Sequence, residues 1–296
     1  MKAVRALIRT MRPGQWVKNL FVFAPAIFAK VHSQGHPEIF LLAALGTLVF
    51  ILLAGSVYVM NDVLDVERDR LHPVKRLRPV ASGELSIQTA LAGGLLSLAA
   101  AYAIGFLLGG PFNLVATGYL ALNVAYSSVL KRYAYLDVLS IATGFLLRVL
   151  AGSLAIGLAR DEISPYLVGC TFLVALFLGL GKRRHELALL GEGSEARRPA
   201  LRQYRLHHLD VALVIVAILT IAAYGFYTIA PQTRAYFGSS RLVATIPFVV
   251  LGIGRFLILL RRKDEARSPT DVLSRDVPFL LNVAAWAIVV AWAIYG

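Results

Sequence analysis

Apolar runs of roughly bilayer-crossing length (~20 residues), separated by short polar stretches, dominate the chain. Runs bounded by charge, Pro or Gly predict spans at 17–32, 38–60, 87–108, 111–129, 137–157, 164–181, 209–230, 242–260 and 277–295. The first is interrupted by Lys18, Pro25 and Lys30. Ahead of it, Val4, Leu7, Ile8 and Met11 recur at helical spacing on one face while Lys2, Arg5, Arg9 and Arg12 share the other. That pattern predicts an amphipathic helix lying at a membrane surface within residues 1–15. A signal peptide is the competing reading, but Arg9 and Arg12 split any apolar core and no small-x-small cleavage site follows. The expectation is an all-α integral membrane protein of nine transmembrane helices, one transmembrane domain over 1–296.

Composition agrees. Hydrophobic residues make up 58% and charged residues 16%, against roughly a quarter charged in soluble domains. Nine spans leave no room for a separate soluble domain. The single cysteine, Cys170, lies inside an apolar run and reads as inert core.

Charge sets the orientation. Under this topology 24 of the 30 Lys and Arg fall on the side of the N-terminus, and the other side holds only Lys30, Arg160, Arg234 and Arg241, with Arg148 and Arg255 inside spans. By the positive-inside rule the basic side is cytoplasmic, which puts the C-terminus outside. Most acidic residues lie on that same side, which orientation alone does not require. The net charge of +13 is explained by topology, so no nucleic-acid partner is expected.

Span 38–60 runs into Asn61-Asp62-Val63-Leu64-Asp65-Val66-Glu67-Arg68-Asp69. At helical spacing Asp62, Asp65 and Asp69 share one face, with Asn61 close to Asp65. Carboxylates so close repel unless a cation lies among them, and hard oxygen ligands suit Mg²⁺ bridging to substrate phosphates. The bland alternative is a solvated helix end paired with Arg68 and Arg70, although carboxylates at a membrane boundary are costly. Next come His72-Pro73-Val74-Lys75-Arg76-Leu77-Arg78-Pro79-Val80-Ala81-Ser82-Gly83. Pro73 and Pro79 stop the helix, so Lys75 and Arg78 sit on a loop able to fold back over the acids. Mg²⁺ beside Lys and Arg suits a diphosphate leaving group.

NDxxDxxxD followed by HPxKxxRPxxSG, with nine predicted spans, resembles the UbiA superfamily of intramembrane prenyltransferases over essentially the whole chain. The resemblance implies a helical bundle whose catalytic cavity faces the cytoplasm, where Mg²⁺ and a diphosphate meet. Typical members carry a second aspartate-rich motif after the sixth span; here that position reads Gly179-Leu180-Gly181-Lys182-Arg183-Arg184-His185-Glu186-Leu187. A helix-end salt bridge would explain Glu186 near Lys182 and Arg183, but cations in place of carboxylates also suit a donor with extra phosphate charge. That segment, Arg12-Pro13-Gly14-Gln15-Trp16-Val17-Lys18-Asn19, and Tyr126-Ser127-Ser128-Val129-Leu130-Lys131-Arg132 are similar to the polyprenyl-phosphate (decaprenyl-phosphate) phosphoribosyltransferase branch. Its members transfer 5-phosphoribose from phosphoribosyl diphosphate (PRPP) to a polyprenyl phosphate in cell-wall arabinan precursor synthesis, in a bacterial plasma membrane.

Within predicted span 137–157, Asp137, Ile141, Gly144 and Arg148 share a face. An arginine that deep faces a polar interior, to bind phosphate or to pair with an acid. Tyr126 has an alternative as an interfacial anchor, and Asp271 with Arg275 reads as a local ion pair. On this reading Asp62, Asp65 and Asp69 hold Mg²⁺ and Asn61 orients them. Lys75, Arg78, Lys182 and Arg183, with Glu186 beside them, meet phosphate oxygens, and Lys18, Tyr126, Lys131 and Arg148 reach either substrate. A homo-oligomer is compatible with the sequence. The rival activity is prenyl transfer from a prenyl diphosphate to an aromatic acceptor. A transporter would place its polar residues at the midplane rather than at the mouth.

Overall fold

Proline and glycine punctuate the helices where the apolar pattern breaks. The computed structural model describes residues 2–28, 36–159, 163–190, 199–261, 272–273 and 275–295. Its helices are α1 (Lys2–Thr10), α2 (Ala24–Phe28), α3 (Glu38–Leu64), α4 (Val66–Arg70), α5 (Ile87–Leu108), α6 (Gly110–Ser128), α7 (Leu136–Ala155), α8 (Pro165–Leu190), α9 (Leu206–Ile229), α10 (Pro231–Phe237), α11 (Ile246–Leu260) and α12 (Val277–Tyr295). Ser86 caps α5, its Oγ accepting from the Thr89 N–H at 3.2 Å. Gly109, at φ +98°, ends α5 in a conformation a side chain disfavours, and α6 follows at once. Pro165 and Pro231 open α8 and α10 at the first turn, where the missing N–H costs nothing.

Seven of the described helical stretches are long and apolar enough to cross a membrane. They match the predicted spans at 38–60, 87–108, 137–157, 164–181, 209–230, 242–260 and 277–295. The predicted span 111–129 appears as α6, of 19 residues; Asn113, Thr117, Asn123 and Ser127 dilute its apolar character. The predicted span 17–32 is corrected: in place of a continuous helix, the chain forms a 3-10 helix over Pro13–Val22 and then the five-residue α2. Pro13 and Pro25 each remove a helical N–H donor. Lys30, Arg160 and Asp271 lie outside the described residues.

By contacts the chain divides into two compact units, one of residues 1–128 and 147–163, the other of residues 129–146 and 164–296. In the first unit Phe50 on α3 meets Tyr119 of α6 with ring centroids 4.7 Å apart, and Phe112 edge-on at 6.2 Å. Val22, Leu53, Ala116, Ala151 and Ala155 complete that core. Helices in lipid gain little from apolar burial and associate through close packing, so small residues matter. Gly152 is one such point: a Cβ there would collide with the Val22 carbonyl oxygen. α1 buries Ala6 and Thr10, and Met11 just beyond it is buried too, while Val4 and Ile8 stay exposed, so the predicted apolar face is split between packing and the surface.

The second unit's core gathers Val138, Phe177, Leu180, Leu213 and Phe256. Phe177 and Phe256 pack with centroids 5.0 Å apart. Cys170 is half-buried on α8 rather than fully in the core.

Candidate functional site

α3 carries its last turn into the acidic segment. Asp62 is 3% exposed; the helix breaks for one residue at Asp65, and α4 then places Asp69 at 1% exposure. Burying two carboxylates costs several kcal/mol each unless cations and hydrogen bonds compensate, and here the compensation comes from two directions. The loop bent by Pro73 and Pro79 returns through a 3-10 turn at Lys75–Leu77. From it the Nη1 of Arg78 donates to Asp62 Oδ1 at 3.1 Å and to Asp69 Oδ2 at 2.5 Å. Lys75 Nζ stands 3.6 Å from Asp69 Oδ1. From the N-terminal segment, Arg12 Nη2 donates to Asp62 Oδ1 at 2.6 Å, its guanidinium lying over the Tyr58 ring.

Arg12 is the residue that reading the sequence missed as a participant. Its backbone is left-handed at φ +57°, a strained state for a side-chain-bearing residue. The signal was the Arg-Pro-Gly step, a turn that throws the arginine out of the helix.

Asp65 departs from expectation. The one-residue break turns it away from the buried pair, leaving its side chain 40% exposed and 4.0 Å from Arg68. Among the described residues no three His, Cys, Asp or Glu converge as a metal cage. The donor chemistry of Asp62 and Asp69 nonetheless fits a hard cation, and the buried Asp69 Oδ1 has no hydrogen-bond partner. Asn61 Nδ2 donates to Ser127 Oγ at 3.1 Å, tying the acidic end of α3 to α6. Tyr126 is half-buried beside Ser127, and Lys18 is exposed on the first 3-10 helix.

Arg148, 8% exposed, also belongs to the first unit. Its Nε donates to Asn19 Oδ1 at 2.9 Å and its Nη2 to Tyr119 Oη at 2.6 Å.

The second unit holds a different cluster. Asp137, 2% exposed, accepts from Arg183 Nε at 2.6 Å, from Tyr204 Oη at 2.6 Å and from the Val138 N–H at 2.8 Å. Arg183 Nη1 donates to Glu186 Oε2 at 2.8 Å. The Tyr135 N–H donates to Tyr204 Oη at 2.7 Å. Burial, then the hydrogen bond to Asp137, push the Tyr204 hydroxyl far above the ordinary phenol range. Lys182 is half-buried on α8, and Lys131 is exposed on a 3-10 turn.

The model of the UbiA prenyltransferase family matches residues 19–275. The chain belongs to that family. Among relatives of this UbiA member, a decaprenyl-phosphate phosphoribosyltransferase from Mycobacterium tuberculosis is 32% identical, covering 98% of this chain and 95% of that one. One of the same name from Mycolicibacterium smegmatis is 31% identical, covering 99% and 93%. A UbiA homologue from Archaeoglobus fulgidus, solved with GPP and Mg²⁺, superposes with a TM-score of 0.69 at 19% identity over 98% of this chain and all of that one; at that identity the likeness speaks for the fold. Family and apolar helices together make the chain a multi-pass membrane protein.

Proposed function

We propose that the chain transfers 5-phosphoribose from PRPP to a polyprenyl phosphate, decaprenyl phosphate in the arabinan precursor pathway, and releases diphosphate. The observation that carries this is the first unit's cluster, in which Arg12, Lys75 and Arg78 converge on the buried Asp62 and Asp69. Near full-length similarity to relatives named for this transfer supports it.

Asp62 and Asp69, with Asp65 turning in from the surface and Asn61 orienting the helix end, would hold Mg²⁺. When bound, that ion neutralises diphosphate charge. Arg78 and Lys75 meet the diphosphate oxygens, and Arg12 holds the Asp62 carboxylate in place through its hydrogen bond. A lipid phosphate oxygen attacks C1 of the ribose as the C1–O bond to diphosphate breaks, the bonding pair leaving with diphosphate. The attacking phosphate is already an anion, so no general base is required. Positive charge develops on the sugar and negative charge on the leaving group, so fixed cations there stabilise the transition state more than the ground state. Lys18, Tyr126, Lys131, Arg148 and Lys182 are assigned to substrate contacts, with Arg183 and Glu186, bonded to each other, holding the end of α8 that carries Lys182.

The chain is read as one catalytic domain with nine crossings in a bacterial plasma membrane, its N-terminus and catalytic mouth cytoplasmic and its C-terminus outside.

The test offers purified protein and Mg²⁺ two substrate pairs, PRPP with decaprenyl phosphate or a prenyl diphosphate with an aromatic acceptor, and weighs the lipid product. A gain of one phosphoribosyl unit is expected. A prenylated aromatic and no phosphoribosyl lipid would sink the proposal.

A further inference from the structure

Where the ends of α8 and α11 meet the first turns of α9, in the second unit, a cavity of about 190 Å³ opens. Its polar lining is Arg184, Asp210 and Arg261; its apolar lining includes Leu213, Val214 and Leu257. Arg184 donates through Nε to Asp210 Oδ1 at 2.9 Å and through Nη1 to the Leu260 carbonyl at 3.0 Å. Those bonds fix the guanidinium and use two of its five N–H donors. Among the described lining residues the exposed Arg261 adds a second cation against the single carboxylate, a surplus of one positive charge.

The apolar wall continues out of the cavity. Val211, Val214 and Ile218 follow one face of α9 at spacings of three and four, and all are exposed. In a membrane-spanning protein such a stripe meets acyl chains. At 190 Å³ the cavity is smaller than the ~300–1,000 Å³ of whole-ligand pockets, which suits a headgroup whose tails remain outside.

We propose that this cavity binds the headgroup of an anionic phospholipid. The phosphodiester lies against Arg184 and Arg261 and the acyl chains run along Val214 and Ile218. A phosphodiester carries one negative charge, matching the surplus. The cavity is built by residues of the second unit alone, and its test does not depend on turnover.

The full-length protein in detergent is titrated with dioleoylphosphatidylglycerol or dioleoylphosphatidylcholine, and bound lipid is counted by native mass spectrometry. Phosphatidylglycerol is expected to be retained in preference. Arg261→Gln should weaken its binding about fivefold, and Asp210→Asn should strengthen it by a similar factor. Arg261 is exposed, so its variant should fold normally. Equal retention of the two lipids overturns the proposal, as does unchanged binding by Arg261→Gln. Displacement of phosphatidylglycerol by inorganic phosphate would assign the cavity to free anions instead and also overturn it.

Discussion

The two units each bury carboxylates against arginine, yet they solve the problem in opposite ways. In the second unit Asp137 and Arg183 are 2% and 3% exposed and every oxygen of Asp137 is engaged by Arg183, Tyr204 or Val138. In the first unit the carboxylates are equally buried, but the cations over them are open: Arg78 is 29% exposed, Arg12 35% and Lys75 42%. One oxygen of Asp69 remains without a hydrogen bond. A saturated buried pair holds a fold together, whereas carboxylates covered by cations that reach water can exchange partners with an arriving anion or metal. The basic segment after predicted span 164–181 therefore contributes less free charge than its sequence suggests, since Arg183 is already engaged by Asp137 and Glu186.

That contrast breaks most sharply at the acids. Asp62→Asn in the first unit should lower Mg²⁺-dependent diphosphate release by on the order of 10²–10³ while leaving the melting temperature nearly unchanged. Asp137→Asn should do the reverse. Removing one partner of a buried pair costs about 3–5 kcal/mol, so the melting temperature in detergent should fall steeply, with the activity of whatever remains folded largely kept. If the first variant proved unstable and active, or the second stable and inactive, the roles of the two clusters would have to be exchanged.

Much of this was legible along the chain. Apolar run length placed the long helices, and Pro73 and Pro79 foretold a loop returning over the acids. Asp62 and Asp69 lie on either side of a break in the helix and are joined by the Arg78 guanidinium, which donates to both. Asp65 did not follow, because periodicity assumes an unbroken helix and α3 stops at Leu64. Arg12 reaches Asp62 across 50 residues, and Tyr204 reaches Asp137 across 67. Pairings so distant are decided by packing, and no local pattern encodes them.

A smaller effect sharpens the reading of the open cluster. Arg78 spans two carboxylates with one nitrogen, so Arg78→Lys keeps the charge but loses the planar donor set. The expected outcome is a rise of about tenfold in KM for PRPP with a modest change in kcat, about 1.4 kcal/mol. An unchanged KM would remove Arg78 from the substrate contacts.

A further test belongs to the closed cluster. Tyr204→Phe keeps the ring and removes the hydroxyl that links the Tyr135 N–H to Asp137, at a cost of about 1.5–3 kcal/mol for a hydrogen bond to a charged group. Its pH dependence is the more telling readout. An unfolded tyrosine ionises near pH 10, whereas burial and the Asp137 carboxylate raise the Tyr204 pKa in the folded protein. The stability this group contributes is thus fully present below pH 10 and is lost as the pH rises beyond it, because the unfolded chain then releases a proton that the fold retains. Tyr204→Phe has no such proton. The gap in melting temperature between wild type and variant should be constant from neutrality to about pH 9 and should narrow above pH 10. A gap that stayed constant or widened above pH 10 would mean that the folded protein gives up the Tyr204 proton as readily as the unfolded chain, and that the second unit's cluster is open rather than closed.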